Sequence, residues 1–246
     1  MSIIQGTAKT TAGDASFYSF PISSSLRFDG SSYLSFTPTS TGNVKTWTLS
    51  MWIKIDKPQA GMFFGANESS SLRFNLGLYR SDENFHVMKA TGYAINVYSN
   101  AKFRDISAFY HFVIEVDTRE NSYTTGIKTY VNNNLLTYET TSSYSSANID
   151  TLVNKINNTM YIGQDANNSF KFHGYMANIE LVDGYKTGAT VATHDDFGEL
   201  KNGVWIPKAY TGNYGTNGFR LSFSDATSTT TLGYDSSGNN NDWTLV

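Results

Sequence analysis

The 246-residue chain has no cysteine, which excludes disulfides, zinc–thiolate sites and thiol nucleophiles together. Its stability must come from packing. Charged residues make up only 16% of the chain and the formal net charge is −3, giving neither the basic footprint of a nucleic-acid binder nor an acidic tail. Nowhere do about 18 apolar residues run together, and the opening MSIIQGTAKTTAGDASF lacks a basic segment followed by an apolar core. A chain neither conventionally secreted nor inserted in a membrane is expected. Runs of Leu, Ala, Glu and Lys at helical spacing are scarce, and no long period recurs, which argues against helical bundles, solenoids and propellers. Phosphate-loop and GxSxG patterns are missing, and the Gly-rich YTGNYGTNG has no strand-loop-helix context.

What the chain does have is 16 Tyr, 16 Phe, 20 Gly and abundant Ser, Thr and Asn, the residues of strands and turns. An all-β fold follows, and the length suits one main domain. TWTLSMWIKID alternates Trp47, Leu49, Met51, Ile53 and Ile55 against Thr48, Ser50, Trp52 and Lys54, as a central strand does. SLRFDGSSYLSF reads as a hairpin turning at Asp29-Gly30. GMFFGA, LRFNLGLY, FHVMKA and GYAINVYS then follow at the short intervals of a sandwich. In AFYHFVIEVDT, Phe112, Ile114 and Val116 oppose His111, Val113, Glu115 and Asp117, and GIKTYVNNNLLTYE gives two strands about an Asn turn. TSSYSSANIDTLVNK is the only segment that suggests a helical turn. Later, MYIGQD and FHGYMANIELVDG form strands with bends at Gly163 and Gly174, THDDFGEL is a capped turn, and GFRLSFSD and DWTLV close the chain. Three parts are expected: an extended N-terminal arm over 1–24, a sandwich over 25–185, and loop and strands over 186–246 packing back on the sandwich or on a neighbouring subunit.

The order of these segments resembles the laminin-G-like, concanavalin A-like jelly roll over residues 26–184. Tyr110-His111 opens a central strand, residues 128–133 match its Tyr-Val-Asn hairpin with Asn133 where Gly is usual, and Ile162-Gly163 and residues 172–179 match its closing strands. That resemblance implies a jelly-roll β-sandwich of two antiparallel sheets. KTWT, SAFYHFVIEVDT, GVWIPKAYTGNYGTNGFRLSFSD and LGYDSSGNNNDWT also look like a set of laminin-G-like virion proteins of bacteriophages, marine ones especially. This implies a non-enzymatic surface component of the virion, either capsid decoration or a fibre or tail appendage, with weak adhesion to host glycans. Its implied partners are other virion proteins, further copies of itself and a host surface glycan; nucleic acid and membrane insertion are not expected. Ser-, Thr- and Asn-rich composition without a signal segment fits a particle assembled in the cytoplasm and released by lysis. The alternatives are a soluble calcium-dependent carbohydrate-binding module and a β-glucanase-type hydrolase.

EVDTRE at 115–120 resembles the carboxylate arrangement of one group of β-sandwich glucanases. A retaining mechanism needs two carboxyl groups about 5 to 5.5 Å apart, and Glu120 would join Glu115 and Asp117 only through a bulge. The following NSYTTG instead reads as a loop, so no catalytic residue is expected. His86, His111, His173 and His194 show no metal spacing, and His111 is expected to be a partly buried ring bonded to nearby backbone. For calcium, Asp165 and Asn167 in GQDANNS are the candidates, with HDDFGE and DSSGNNND as weaker oxygen-rich loops. For sugar or partner binding they are Trp52, Trp205, Tyr210 and Tyr214, each of which has packing against the sandwich as its competing role.

Overall fold

The computed structural model describes residues 17–69, 71–79, 83–90, 94–187 and 190–246. Two antiparallel sheets face each other. Sheet one runs, from one edge to the other, Leu26–Asp29, His173–Asp183, Thr46–Ile55, Tyr110–Asp117, Ile127–Val131 and Asn134–Leu135, and Phe219–Leu221 also pairs with His173–Asp183. Sheet two runs Ser143–Tyr144, Ile95–Lys102, Asn84–Lys89, Arg73–Tyr79, Gly61–Asn67, Thr159–Ile162, Leu34–Phe36 and Thr244–Leu245. This is an all-β jelly-roll sandwich.

The core between the sheets is aromatic: Trp47, Phe63, Phe64, Phe74, Phe85, Phe112 and Phe172 are buried there. Trp47 packs edge-on to Phe74 at 5.5 Å, and its Nε1–H donates to Thr151 Oγ1 at 2.9 Å, so its one polar group is satisfied inside apolar surroundings. Two bulges adjust the phase of strands whose sequence breaks alternation. A register shift between Met62 and Phe64 lets the adjacent Phe63 and Phe64 both enter the core. Another between Ala177 and Glu180, with Asn178 at φ 42°, brings Met176 and Ile179 onto the same inner face.

SLRFDGSSYLSF does not form a hairpin. Leu26–Asp29 pairs in sheet one and Leu34–Phe36 in sheet two, so the Asp29-Gly30 turn is a corner between the layers. Asp29 Oδ1 accepts from Ser31 N, Ser31 Oγ and Ser32 N, which fixes that corner, and Phe28 and Leu34 both reach the core. The helical turn lies in NSYTTG, at Tyr123–Gly126, where Ser122 accepts from Thr124 N, and not in the 141–155 segment. The Asn turn is as expected, with Asn132 and Asn133 at φ 48° and 71°.

The C-terminal segment returns to its own chain. Phe219–Leu221 pairs with His173–Asp183, and Thr244–Leu245 pairs with Leu34–Phe36. The hairpin Gly198–Lys201/Val204–Pro207 lies outside sheet one, where Val113, Val182, Ala192, Phe197 and Tyr214 form a second, smaller core. Residues 1–16 of the expected arm lie outside the described residues. Residues 17–22 run along the same side: Ser19 Oγ donates to Glu199, Arg220 covers the Phe20 ring, and Pro21 and Ile22 pack near Trp52. Among the described residues, sheet one is thus covered on both faces and sheet two on one.

Because Trp47 is fully buried with its polar atom bonded, Trp47→Ala is expected to cost about 3–5 kcal/mol, read as a lower urea midpoint with little change in slope.

Candidate functional site

The outer face of sheet one holds most of the residues singled out from sequence, and the C-terminal segment closes over them. His111 is fully buried and stacks on Trp52 at 4.4 Å with the planes 4° apart. Trp205 Nε1–H donates to His111 Nδ1 at 2.9 Å; an indole nitrogen only donates, so Nδ1 is the acceptor and the neutral ring carries its proton on Nε2, toward Ser50 Oγ at 2.8 Å. Burial, and behind it the neighbouring His194, pushes this imidazole down to about 3. The expected backbone partner is therefore replaced by two side chains. The reason is that Ser50 and Trp205 reach the ring from opposite sides of a filled layer.

Tyr214 donates its hydroxyl to the buried Glu180, and Tyr210 stacks on Phe197 at 5.1 Å and donates to Asn213 O. Trp52 is half-buried beside a hollow of about 200 Å³ shared with Tyr18, Pro21 and Ile22 of the arm. Trp52, Trp205, Tyr210 and Tyr214 thus sit on one side of the molecule, in or against the layer that seals sheet one. Glu115 Oε1 accepts from the His194 backbone N–H at 2.9 Å, and burial raises its carboxyl above the usual range against that bond. Asp117 pairs with Arg119 in the turn that follows. Tyr110–Asp117 keeps unbroken register with Thr46–Ile55, without the bulge that would place Glu120 in phase.

The open face is that of sheet two. Its outward residues form cross-strand rows: Gly65, Asn75, Met88 and Asn96 are successive partners, as are Met62, Gly77, His86 and Tyr98. They floor a cleft of about 250 Å³ whose walls include Arg73, Tyr79, Asp165 and Phe170. His86 stacks on Tyr98 at 4.2 Å and its Nε2–H donates to Asn96 Oδ1 at 2.9 Å, so the ring is held on two sides. Tyr79 meets Phe170 edge-on at 5.5 Å. The two glycines keep the floor low. A Cβ on Gly65 would lie 2.7 Å from Asn75 Oδ1 and 3.1 Å from Ala166 N.

The loop 164–170 makes the cleft's lip. It is fastened at three points: Ala166 N donates to Asn75 Oδ1, Asn67 Nδ2 donates to Ala166 O, and Met62 N donates to Phe170 O. Phe170 is 46% exposed and has φ 44°, a left-handed backbone that bulky side chains rarely adopt. The ring therefore stands exposed at the mouth of the cleft on a strained backbone.

Asp165, one of the calcium candidates, lines this cleft, but its Oδ1 is taken up by the Asn167 and Ser169 backbone N–H groups. Asn167 lies on the other side of the loop. A calcium ion takes six to eight oxygens, and among the described residues no three His, Cys, Asp or Glu come together. In DSSGNNND the Asp235 carboxylate accepts from Arg220 N, Ser237 N, Ser237 Oγ and Asn241 N, which fixes the loop. Sequence reasoning passed over Arg73, Asn75, Tyr79, His86, Asn96, Tyr98 and Phe170. The signal was there: in LRFNLGLY the positions between Phe74, Leu76 and Leu78 alternate outward.

The fold and its one open, aromatic-lined sheet face define a lectin-type sandwich. Residues 28–192 match the family model of the concanavalin A-like lectin/glucanases superfamily, and the chain belongs to that family. A search of curated proteins finds no significant match. Similar solved structures include a heptameric SAP-like pentraxin from Limulus polyphemus, at 13% identity and TM-score 0.47, covering 69% of this chain and 77% of that one. Domain 4 of a GH43 extracellular arabinanase from Geobacillus stearothermophilus, in complex with arabinotriose, is similar at 14% identity and TM-score 0.49, over 66% and 71%. Tailspike protein 2 of Escherichia coli O157:H7 bacteriophage CAB120 is similar at 10% and 0.42, over 70% of this chain and 23% of that one.

The folded His111 titrates far below the roughly 6.5 of an unfolded histidine, so below that pH the unfolded chain binds more protons and stability falls on acidification. Urea melts between pH 7.5 and 5.5 should show this slope in the native chain and a flatter one in His111→Gln. At lower pH, Glu180 and Asp183, whose carboxyls burial raises, oppose the trend.

Proposed function

We propose that this protein is a non-enzymatic carbohydrate-binding sandwich displayed on a bacteriophage virion, with the sheet-two cleft as its saccharide site. The observation that carries the binding role is the exposed Phe170 at the lip, facing Tyr79 across a floor of Asn75, His86, Asn96 and Tyr98. Flat rings take the apolar face of a sugar ring, and amide and imidazole groups at fixed positions read its hydroxyls. Catalysis is not part of this function, since Glu115 and Asp117 are engaged by His194 and Arg119 and lie on the far sheet. No metal is required either.

Display on a particle draws its support from the resemblance in the C-terminal third and from the arrangement of the faces. The arm residues and the hairpin with exposed Leu200 and Val204 lie outside sheet one, opposite the cleft. Anchoring through that side to the capsid or to a tail part leaves the cleft facing outward. Repetition over many copies would turn weak single sites into firm adhesion.

Binding to a glycan array by the purified chain should survive EDTA, and Phe170→Ala should weaken it about tenfold while leaving the thermal midpoint nearly unchanged. Binding that EDTA abolishes, or that Phe170→Ala leaves intact, would overturn the cleft assignment. Mass spectrometry of purified particles tests the location. Hundreds of copies mean capsid decoration, a handful a tail part, and absence discards the virion role.

A further inference from the structure

Arg220, Ser222 and Ser224 alternate with the core residues Phe219, Leu221 and Phe223, so they share the outward side of the strand that pairs with His173–Asp183. They wall a polar hollow of about 250 Å³ whose other side is the arm, with Phe20 and Ser23. We propose that this hollow is an anion site that takes a carboxylate group on Arg220. It lies apart from the sheet-two cleft and does not depend on that cleft binding a sugar. Asn178 aside, its residues fall outside the 28–192 stretch that matches the family, so it belongs to what this chain adds to the common sandwich.

Arg220 is held along one edge and left open along the other. Its Nε–H donates to Asn178 Oδ1 at 3.0 Å and its guanidinium lies over the Phe20 ring at 4.8 Å, so the plane of the group is fixed before any ligand arrives. The two Nη groups make no hydrogen bond or ion pair among the described residues, and neither is sealed from solvent. That edge is a fork of N–H bonds, which a carboxylate can accept with both oxygens. The acidic groups beside Arg220 are already engaged. Glu180, its cross-strand partner, accepts from the Tyr214 hydroxyl and Asn178 Nδ2, and burial raises its carboxyl above the usual range. Asp235 accepts from the Arg220 backbone N–H and from Ser237 and Asn241 of its own loop. Neither reaches the guanidinium.

The hydroxyl groups add donors. Ser222 Oγ and Ser224 Oγ lie 3.0 Å apart, and only one of their two hydrogens can sit between them, so the other is left to donate. The Ser23 hydroxyl has no partner among the described residues. Ser236 is spent, because its hydroxyl donates to Arg220 O at 3.0 Å. One positive charge among neutral hydroxyls suits a single negative charge. A sulfate or phosphate dianion would bring a second one that no other cation in the described wall meets, in a chain whose net charge is already −3. The carboxylate can belong to a small molecule or to an acidic side chain of a neighbouring protein, since both present the same planar pair of oxygens.

NMR titration of the native chain tests this, following the Arg220 Nε–H and the Ser222 and Ser224 amides at constant ionic strength made up with chloride. The probes are sodium acetate, sodium sulfate and a short blocked peptide with one glutamate among neutral residues. Acetate and the peptide should move these signals saturably, chloride should not, and sulfate should bind more weakly than acetate. A peptide bound at least about tenfold more tightly than acetate assigns the carboxylate to a neighbouring protein; otherwise a small molecule is its source. Arg220→Lys should weaken acetate about tenfold, because an ammonium lacks the fork, and Ser224→Ala about twofold without moving the thermal midpoint. The site is overturned if the native signals do not saturate, if chloride reproduces the shifts, if sulfate binds more tightly than acetate, or if Arg220→Lys leaves acetate binding intact. Should Arg220→Lys fail to fold, the ranking of anions on the native chain still decides.

Discussion

The buried carboxylate of Asp183 is the joint on which the arrangement of faces depends. It lies at the end of the longest strand and accepts from Asn43 N and Asn154 Nδ2 on one oxygen and from Asn217 N on the other. Three segments, 111 and 63 residues apart in sequence, meet there. A carboxylate removed from water is tolerable only when such a set of donors is complete, so none of the three segments can shift alone. With residue 217 held at the strand end, the preceding segment has no course except across the outside of sheet one. Phe197, Tyr210, Tyr214 and Trp205 then fill that side with rings.

Closing one face decides what the other is for. Sheet one, covered twice, accounts for the polar residues that its central strand buries: Thr48 donates to Ala192 O and Ser50 meets His111. Thr48 finds its partner in the covering layer and Ser50 in the adjacent strand, whose His111 is bonded in turn by Trp205 of that layer, as buried polar groups require. Among the described residues, none covers the middle strands of sheet two in this way, and its outward residues are an assortment of amide, imidazole, guanidinium and phenol groups with glycine between them. The proposed recognition of a polyhydroxylated ligand would use that mixture.

Much of the fold was legible because strand alternation carries it: Trp47 to Ile55 and Phe112 to Val116 take the faces that their spacing implies. The Asp29-Gly30 corner was not legible as a corner. A turn signal says that the chain reverses locally but not whether the next strand joins the same layer, and both Phe28 and Leu34 are core residues in either case. The bulges at Met62 and Asn178 were hidden for a related reason, since a phase shift becomes visible only against a partner strand. The cleft was not legible because tryptophans and carboxylates carry strong individual signals and the cleft's own residues do not. His86, Asn96 and Tyr98 are ordinary one by one, and only the register of four strands assembles them. Phe170 could not be recognised at all from its neighbours in sequence, because its importance lies in its exposure and backbone angle.

One edge of sheet two ends in a very short strand, Ser143–Tyr144, whose two residues pair with Asn96 and Ile95. So short an outermost strand offers hardly any free ladder to a second copy. Molecules crowded side by side at high local concentration can therefore remain separate units, each keeping its own binding face, instead of fusing edge to edge into a continuous sheet.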